Sequence, residues 1–555
     1  MNNLNKTSSR KSAAVSVAAG VAAIIAAIII AALVIGGAVK RSVKKPKTPP
    51  NTSPAGNVET TAAPELLKER YADLRTPADG SITKTPLKFS NESAEAFKET
   101  LFGTDIAFKY GEYFAVDEAF ATDWGSPDTY LRDVSVLKNG KIDAGLLFEK
   151  VKINNKAYFE RKDINIFSKE ADDETVKAIC EVIADTANGN PDLYDAQRLA
   201  STLSNLVICY NTTALSSAAV SADLVFSVSP TALKLFKSRN ELTERADEEE
   251  TEKSLFIHET MHLLQFSASY YQRPQGVESA AFCRIKKADA LPNCMWISWL
   301  LEAAAEKETS EYTGIEPLTY TNYINYLNDF TLNYIINGNY GSDMFKKFTF
   351  MSSFDDVFAA LGITDTEAKK DFVKLLYAVE VADKDSDDFF EYMQAQTGTE
   401  LTENQKSEIC KQCREDALMI LTRNYYSGIQ KRLASGSLDK ESLFFMMRLF
   451  ELETLLHTSY SDKTEIPYAR RLLVYQSAAE NKLFELLAAD NGTTAEALKE
   501  EYSNYKMLIN TPSGVKPNAG LDSFAPEQKE FITEMFEKMN KARFVKLADM
   551  ADLLD

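Results

Sequence analysis

Histidine, tryptophan and glycine are scarce in this chain. Only three histidines and three tryptophans occur in 555 residues, so any chemistry that needs imidazole must draw on His258, His262 or His457. With 22 glycines and 17 prolines, collagen-like and low-complexity classes are excluded. No internal repeat of fixed period is found. Lysine and arginine are outnumbered by aspartate and glutamate, 62 to 81, for a net charge of −19. No nucleic-acid partner is expected, because phosphate neutralisation needs the opposite balance.

Acidic residues are missing altogether from positions 1–58, which carry eight basic ones: Lys6, Arg10, Lys11, Lys40, Arg41, Lys44, Lys45 and Lys47. The split leaves +8 at the amino end and −27 on the remainder. What is present is ordinary globular protein, 45% hydrophobic and 26% charged. Its length allows about three or four domains and a sizeable core.

Ala13 to Val39 carries no charge, and Val21 to Ile35 is wholly aliphatic except for its alanines. At about 1.5 Å per residue, a helix of that length exceeds the ~30 Å hydrocarbon core of a bilayer. An uncleaved membrane anchor is expected; the alternative is a secretory signal, with Gly36-Gly37-Ala38 as small residues for cleavage. The flank Lys40 to Lys47 favours a cytoplasmic downstream side by charge. Against that stand a proline-containing spacer, an acidic body and an even number of cysteines, six. The body is therefore read as extracellular.

Cys180, Cys209, Cys283, Cys294, Cys410 and Cys413 allow three disulfides, with Cys283–Cys294 the preferred pair. Cys410-Lys-Gln-Cys413 lacks the second CxxC of a metal site and reads as a structural disulfide or inert thiols.

The chain divides into a basic tail (1–12), the apolar span (13–39), a Pro/Thr-rich linker (40–65), a strand-rich α/β subdomain (66–245), helices bearing the motif below (246–350) and an α-helical carboxy-terminal domain (351–555). Asn139-Gly140 between apolar runs predicts a hairpin, Asn154-Asn155 a second turn, and Leu206–Tyr210 and Leu224–Val228 strands. Helices are expected over Asp247–Tyr271, Cys294–Tyr312, Thr366–Val381, Glu403–Tyr425, Lys440–His457, Ala469–Ala489 and Pro526–Leu547.

Two of the three histidines stand four apart in His258-Glu259-Thr260-Met261-His262. On a helix they share one face one turn apart, so both imidazoles can meet one metal ion, while Glu259 lies beside them to take a proton from water. Chance would produce this pattern in about one such chain in a thousand. A third ligand is required. The pattern with a third histidine soon after is excluded, because Gln265 and Ala268 stand where it needs glycine and histidine. Glu302 is the best candidate: between Cys294 and Ala305 only Ser298 and Glu302 are polar, and a lone carboxylate on a buried helix calls for a metal or a counter-charge. Glu306, one turn on, is placed to orient a ligand histidine. Glu278 and Asp289 are weaker alternatives for the third ligand.

His-Glu-Thr-Met-His followed by Trp-Leu-Leu-Glu-Ala-Ala-Ala-Glu resembles the gluzincin branch of the zincin metallopeptidases. The resemblance covers about a tenth of the chain. It departs from the usual pattern in having Ala303 after the ligand glutamate and in the 39 residues between His262 and Glu302. The resemblance implies an α+β zincin-like unit with a sheet over the active-site helix, Zn(2+) held by His258, His262 and Glu302, Glu259 as the catalytic base, and Glu306 behind a histidine. It implies a peptide or protein substrate. Tyr312, Tyr320, Tyr323, Tyr326 and His457 are all eligible as the oxyanion donor. The function read from the sequence is a membrane-anchored extracellular zinc metallopeptidase. Two alternatives are a non-catalytic cell-surface binding protein retaining the zincin-like fold, and a structural surface protein in which the motif is accidental.

Overall fold

Asn139 and Gly140 take φ of +55° and +76°, the left-handed pair that a two-residue hairpin needs. They join β1 (Leu137–Lys138) to β2 (Lys141–Ile142), with Leu137 opposite Ile142. The structure is a computed structural model that describes residues 87–536 with interruptions, the longest at 115–132, 280–296 and 510–523. The chain falls into two units, residues 1–60 with Lys237–Glu248, and 61–236 with 249–555. Of the first only Lys237–Thr243 and Glu248 are described. Everything below concerns the second. The apolar span 13–39 and the pair Cys283–Cys294 lie outside the described residues, among which no helix is long and apolar enough to cross a membrane.

The fold is mainly helical with a few short strands. The second expected turn, Asn154-Asn155, is instead inside α2 (Ala144–Phe159). Its asparagines serve tertiary contacts: Asn155 exchanges two hydrogen bonds with the backbone of Ile208, and Asn154 Nδ2 donates to Ser204 O and Leu206 O. Residues 66–245 hold six of the eight described strands, yet helices contain more of that region than strands do. "Strand-rich" therefore overstates it. Four of the strands form one sheet in the order β3 (Ser168–Glu170), β4 (Val207–Asn211), β6 (Val225–Val228), β5 (Ala218–Val220). The central pair β4 and β6 is parallel, the two outer pairings are antiparallel, and β5 is an edge strand. Both predicted strands of this region lie at its centre. α2 packs against β4 of this sheet, and the helices that follow it in the region are α3 (Asp173–Gly189), α4 (Ala196–Leu203) and α5 (Pro230–Thr243).

The motif lies in α6 (Glu248–Ser267), which is buried nearly all round from Phe256 to Ser267. It stops four residues before the expected end, because Tyr270–Arg273 is β7, paired antiparallel with β8 (Gly276–Ser279). Next comes α7 (Ser298–Thr313), closed by Gly314 at φ +71°. From there on every described element is a helix: α8 (Thr321–Asn337), α9 (Met344–Phe348), α10 (Phe354–Leu361), α11 (Thr366–Asp383), α12 (Asp387–Thr397), α13 (Glu403–Ala434), α14 (Lys440–His457), α15 (Ile466–Asn491) and α16 (Ala495–Ile509). α13 runs nine residues beyond the expected Tyr425. It starts on a capping box in which Thr402 and Gln405 satisfy each other's backbone N–H.

Two apolar cores form. The first gathers the sheet, α6, α7 and α11, with Ile409 to Leu421 of α13. The second gathers α1 (Asn91–Phe102), α14 and α15 with Tyr425 to Leu433 of α13, and Ile532, Met535 and Phe536, whose helical spacing the sequence displays. Cys180, Cys209, Cys410 and Cys413 all carry thiols, so three disulfides are excluded. Burial pushes the Cys180 thiol up to about 12 and the Cys209 thiol to about 11, which leaves both inert. The even cysteine count accordingly supports export only through Cys283 and Cys294.

Candidate metal centre

Helical spacing places His258 and His262 on one face of α6, with Nε2 atoms 3.2 Å apart. α7 crosses that face and brings Glu302 Oε2 to 3.2 Å from His258 Nε2 and 3.3 Å from His262 Nε2. A tetrahedral zinc ion with bonds of about 2.0–2.1 Å holds its ligand atoms about 3.3 Å apart. Two imidazoles and a carboxylate, a usual catalytic zinc donor set, thus stand at the separation the ion requires. Both histidines are buried, whereas the Glu302 side chain keeps 21% of its exposure, leaving the triangle accessible from that side.

Each histidine has a polar neighbour at its second ring nitrogen, an ion-pair contact at His258 and a hydrogen bond at His262. His258 Nδ1 lies 2.9 Å from Glu306 Oε2, and Glu306 also accepts the Thr319 N–H at 3.1 Å. His262 Nδ1 lies 2.8 Å from Gln265 Oε1, and Gln265 is fixed in turn by donating Nε2 to Leu301 O and Thr349 Oγ1. These contacts leave both Nε2 atoms facing Glu302. Burial by itself disfavours the charged form of His258, but its bonds to Glu302 and Glu306 outweigh this and raise its pKa to about 10. A proton and a metal ion therefore compete for this nitrogen.

Glu259 is buried, and the Val220 N–H at the end of edge strand β5 donates to its Oε2 at 2.8 Å. Burial raises its pKa, against the pull of His262 and His258. α7 is anchored at its first turn by Glu380 of α11. That carboxylate accepts Ser298 Oγ at 2.5 Å and Trp299 N–H at 2.9 Å, while Trp299 Nε1 donates to Leu376 O at 3.0 Å.

All five site residues expected from the sequence, His258, Glu259, His262, Glu302 and Glu306, come together. The side chains of Glu278 and Asp289 lie outside the described residues, as does that of His457. Among the described tyrosines, Tyr320 is placed against a candidate ligand, its ring stacked 5.9 Å from that of His258. It sits at φ +53° just before α8, and burial followed by Glu302 and Glu259 raises its pKa. Tyr312 is turned away, donating to Asp185 O, and Tyr326 packs on Trp299. Sequence reasoning missed Gln265, Val220 and Glu380. Only Gln265 left a signal, a polar residue three positions after His262 in an apolar stretch.

No protein-family model matches the chain, and neither a curated protein nor a solved structure matches it significantly.

Proposed function

We propose that the chain is a zinc-dependent hydrolase, specifically a membrane-anchored extracellular metallopeptidase of zincin-like fold. The observation that carries this reading is the donor triangle of His258, His262 and Glu302 at 3.2–3.3 Å, with Glu259 buried beside it. When bound there, zinc supplies Lewis acidity that polarises a carbonyl and acidifies water. The remaining work falls to the chain. Glu259, steadied by the Val220 N–H, takes the proton of the attacking water and delivers it to the departing amine. Glu306 and Gln265 keep the imidazoles turned toward the triangle. Tyr320 is the hydroxyl assigned to the developing oxyanion, on the strength of its stacking against His258.

Zinc content and peptide-library cleavage are measured together on three proteins. The wild type should hold one zinc per chain and cleave. Glu259→Gln should keep the metal and lose about two to four orders of magnitude in turnover. Glu302→Ala should lose the metal. A Glu302→Ala protein with full zinc content overturns the ligand assignment, and a zinc-loaded wild type that cleaves nothing in a diverse library favours the binding-protein alternative.

A further inference from the structure

Away from the His258 cluster, a cavity of about 360 Å³ is lined by residues of α8, α11 and α13. That volume is in the range of small-molecule sites, about 300–1,000 Å³. Tyr334, Phe372, Leu375 and Ile420 give it apolar walls. Two cationic side chains, Arg423 and Lys431, also line it. Both come from α13, eight residues and about 12 Å apart along the helix.

Neither cation forms an ion pair among the described residues. The Arg423 Nε is buried with no hydrogen-bond partner there, and its guanidinium lies 5.0 Å from the Phe102 ring centre. Lys431, an exposed side chain at the mouth of the cavity, donates to Asn337 Oδ1, a neutral acceptor. Asn337 is fixed by donating Nδ2 to Asn424 O at 2.8 Å. Asp371, the acidic residue on the wall, is engaged by Lys374 at 3.5 Å. In a body with an excess of 27 acidic residues, a guanidinium with a buried, unpartnered N–H on the wall of this cavity points to an anion from outside.

We propose that this cavity binds a small organic anion, a monocarboxylate on an apolar or aromatic body, with the carboxylate on the Arg423 guanidinium and the body against Phe372, Leu375 and Ile420. The planar fork of Arg423 matches a carboxylate, and a buried partnerless N–H gains most from a charged acceptor. Apolar walls favour a hydrocarbon body over a heavily hydrated inorganic phosphate. The inference does not depend on the zinc reading.

The test is calorimetric titration of the full chain with 4-phenylbutyrate, its neutral amide and inorganic phosphate. The acid should bind, the amide should bind about ten- to a hundredfold more weakly, and phosphate should give no saturable heat. Arg423→Gln should weaken the acid to the level of the amide. Ala368→Trp, a substitution on an exposed wall position, should block the acid while leaving the melting temperature close to wild type. Equal binding of acid and amide, binding unaffected by either substitution, saturable phosphate binding, or no binding of the acid overturns the proposal.

Discussion

Glu306→Gln isolates the charge behind one candidate ligand. The carboxylate lies 2.9 Å from His258 Nδ1, with 7% and 8% of the two side chains exposed, so solvent screens the pair little. Glutamine keeps the size of the side chain and an acceptor for the Thr319 N–H; what it removes is the negative charge beside the imidazole. Groups that orient metal-ligating histidines contribute about ten- to a hundredfold in metal affinity, equivalent to about 1.4–2.7 kcal/mol. His262 is oriented by the neutral amide of Gln265 and supplies an internal comparison. Gln265→Met should cost affinity near the lower figure, and Glu306→Gln nearer the upper. Competition for zinc against a chromophoric chelator measures both, with thermal melting of the metal-free proteins as a check on folding. A Glu306→Gln protein that melts normally and holds zinc within about twofold of wild type refutes the reasoning.

Glu380→Ala should unfasten the first turn of α7, costing about 2–3 kcal/mol for two bonds to a buried carboxylate. It should also weaken zinc binding through Glu302; urea unfolding and the chelator assay would both have to be unchanged for this to fail. Glu480, half-buried and accepting from Tyr426 Oη at 2.8 Å, has its pKa raised by desolvation and then by Glu451 to about 7. Between the ordinary 4.5 and about 7 the unfolded chain gives up a proton that the fold retains, so stability falls as pH rises through that window. The fall amounts to about 3 kcal/mol, and Glu480→Gln should remove most of it when urea unfolding is compared at low and neutral pH. An identical pH slope in the variant would discard the assignment. Thiol labelling of the denatured, unreduced chain should find at least the four described cysteines reactive; fewer would restore a disulfide to the core.

The metal centre was largely legible because its parts write themselves into local patterns. His258 and His262 repeat at one helical turn, and Glu302 and Glu306 interrupt an apolar helix. Contacts made across long stretches of chain left no such trace. The Val220 N–H that fixes Glu259 comes from 39 positions away and from the backbone, which has no side-chain signature. Glu380 caps a helix 81 positions before it. The Asn154-Asn155 pair reads as a turn for the same reason, since its partners Ser204, Leu206 and Ile208 are about fifty residues distant. At the end of α6, an apolar aromatic pair, Tyr270-Tyr271, continues the helical pattern locally while pairing with β8 instead.

At 32 residues, α13 is about 48 Å long and belongs to both apolar cores, its first half to one and its second half to the other. Arg432 near its end fastens the carboxy terminus of α8 as well, donating to Ile335 O and Ile336 O, and α8 likewise contributes to both cores. A single strut shared in this way makes the cores one cooperative unit, because melting either exposes half of a helix the other needs. The half that bears His258 and Glu302 is therefore not an excisable fragment. Cutting the chain within α13 would leave a broken apolar face on each piece, and heating should unfold both cores in one transition.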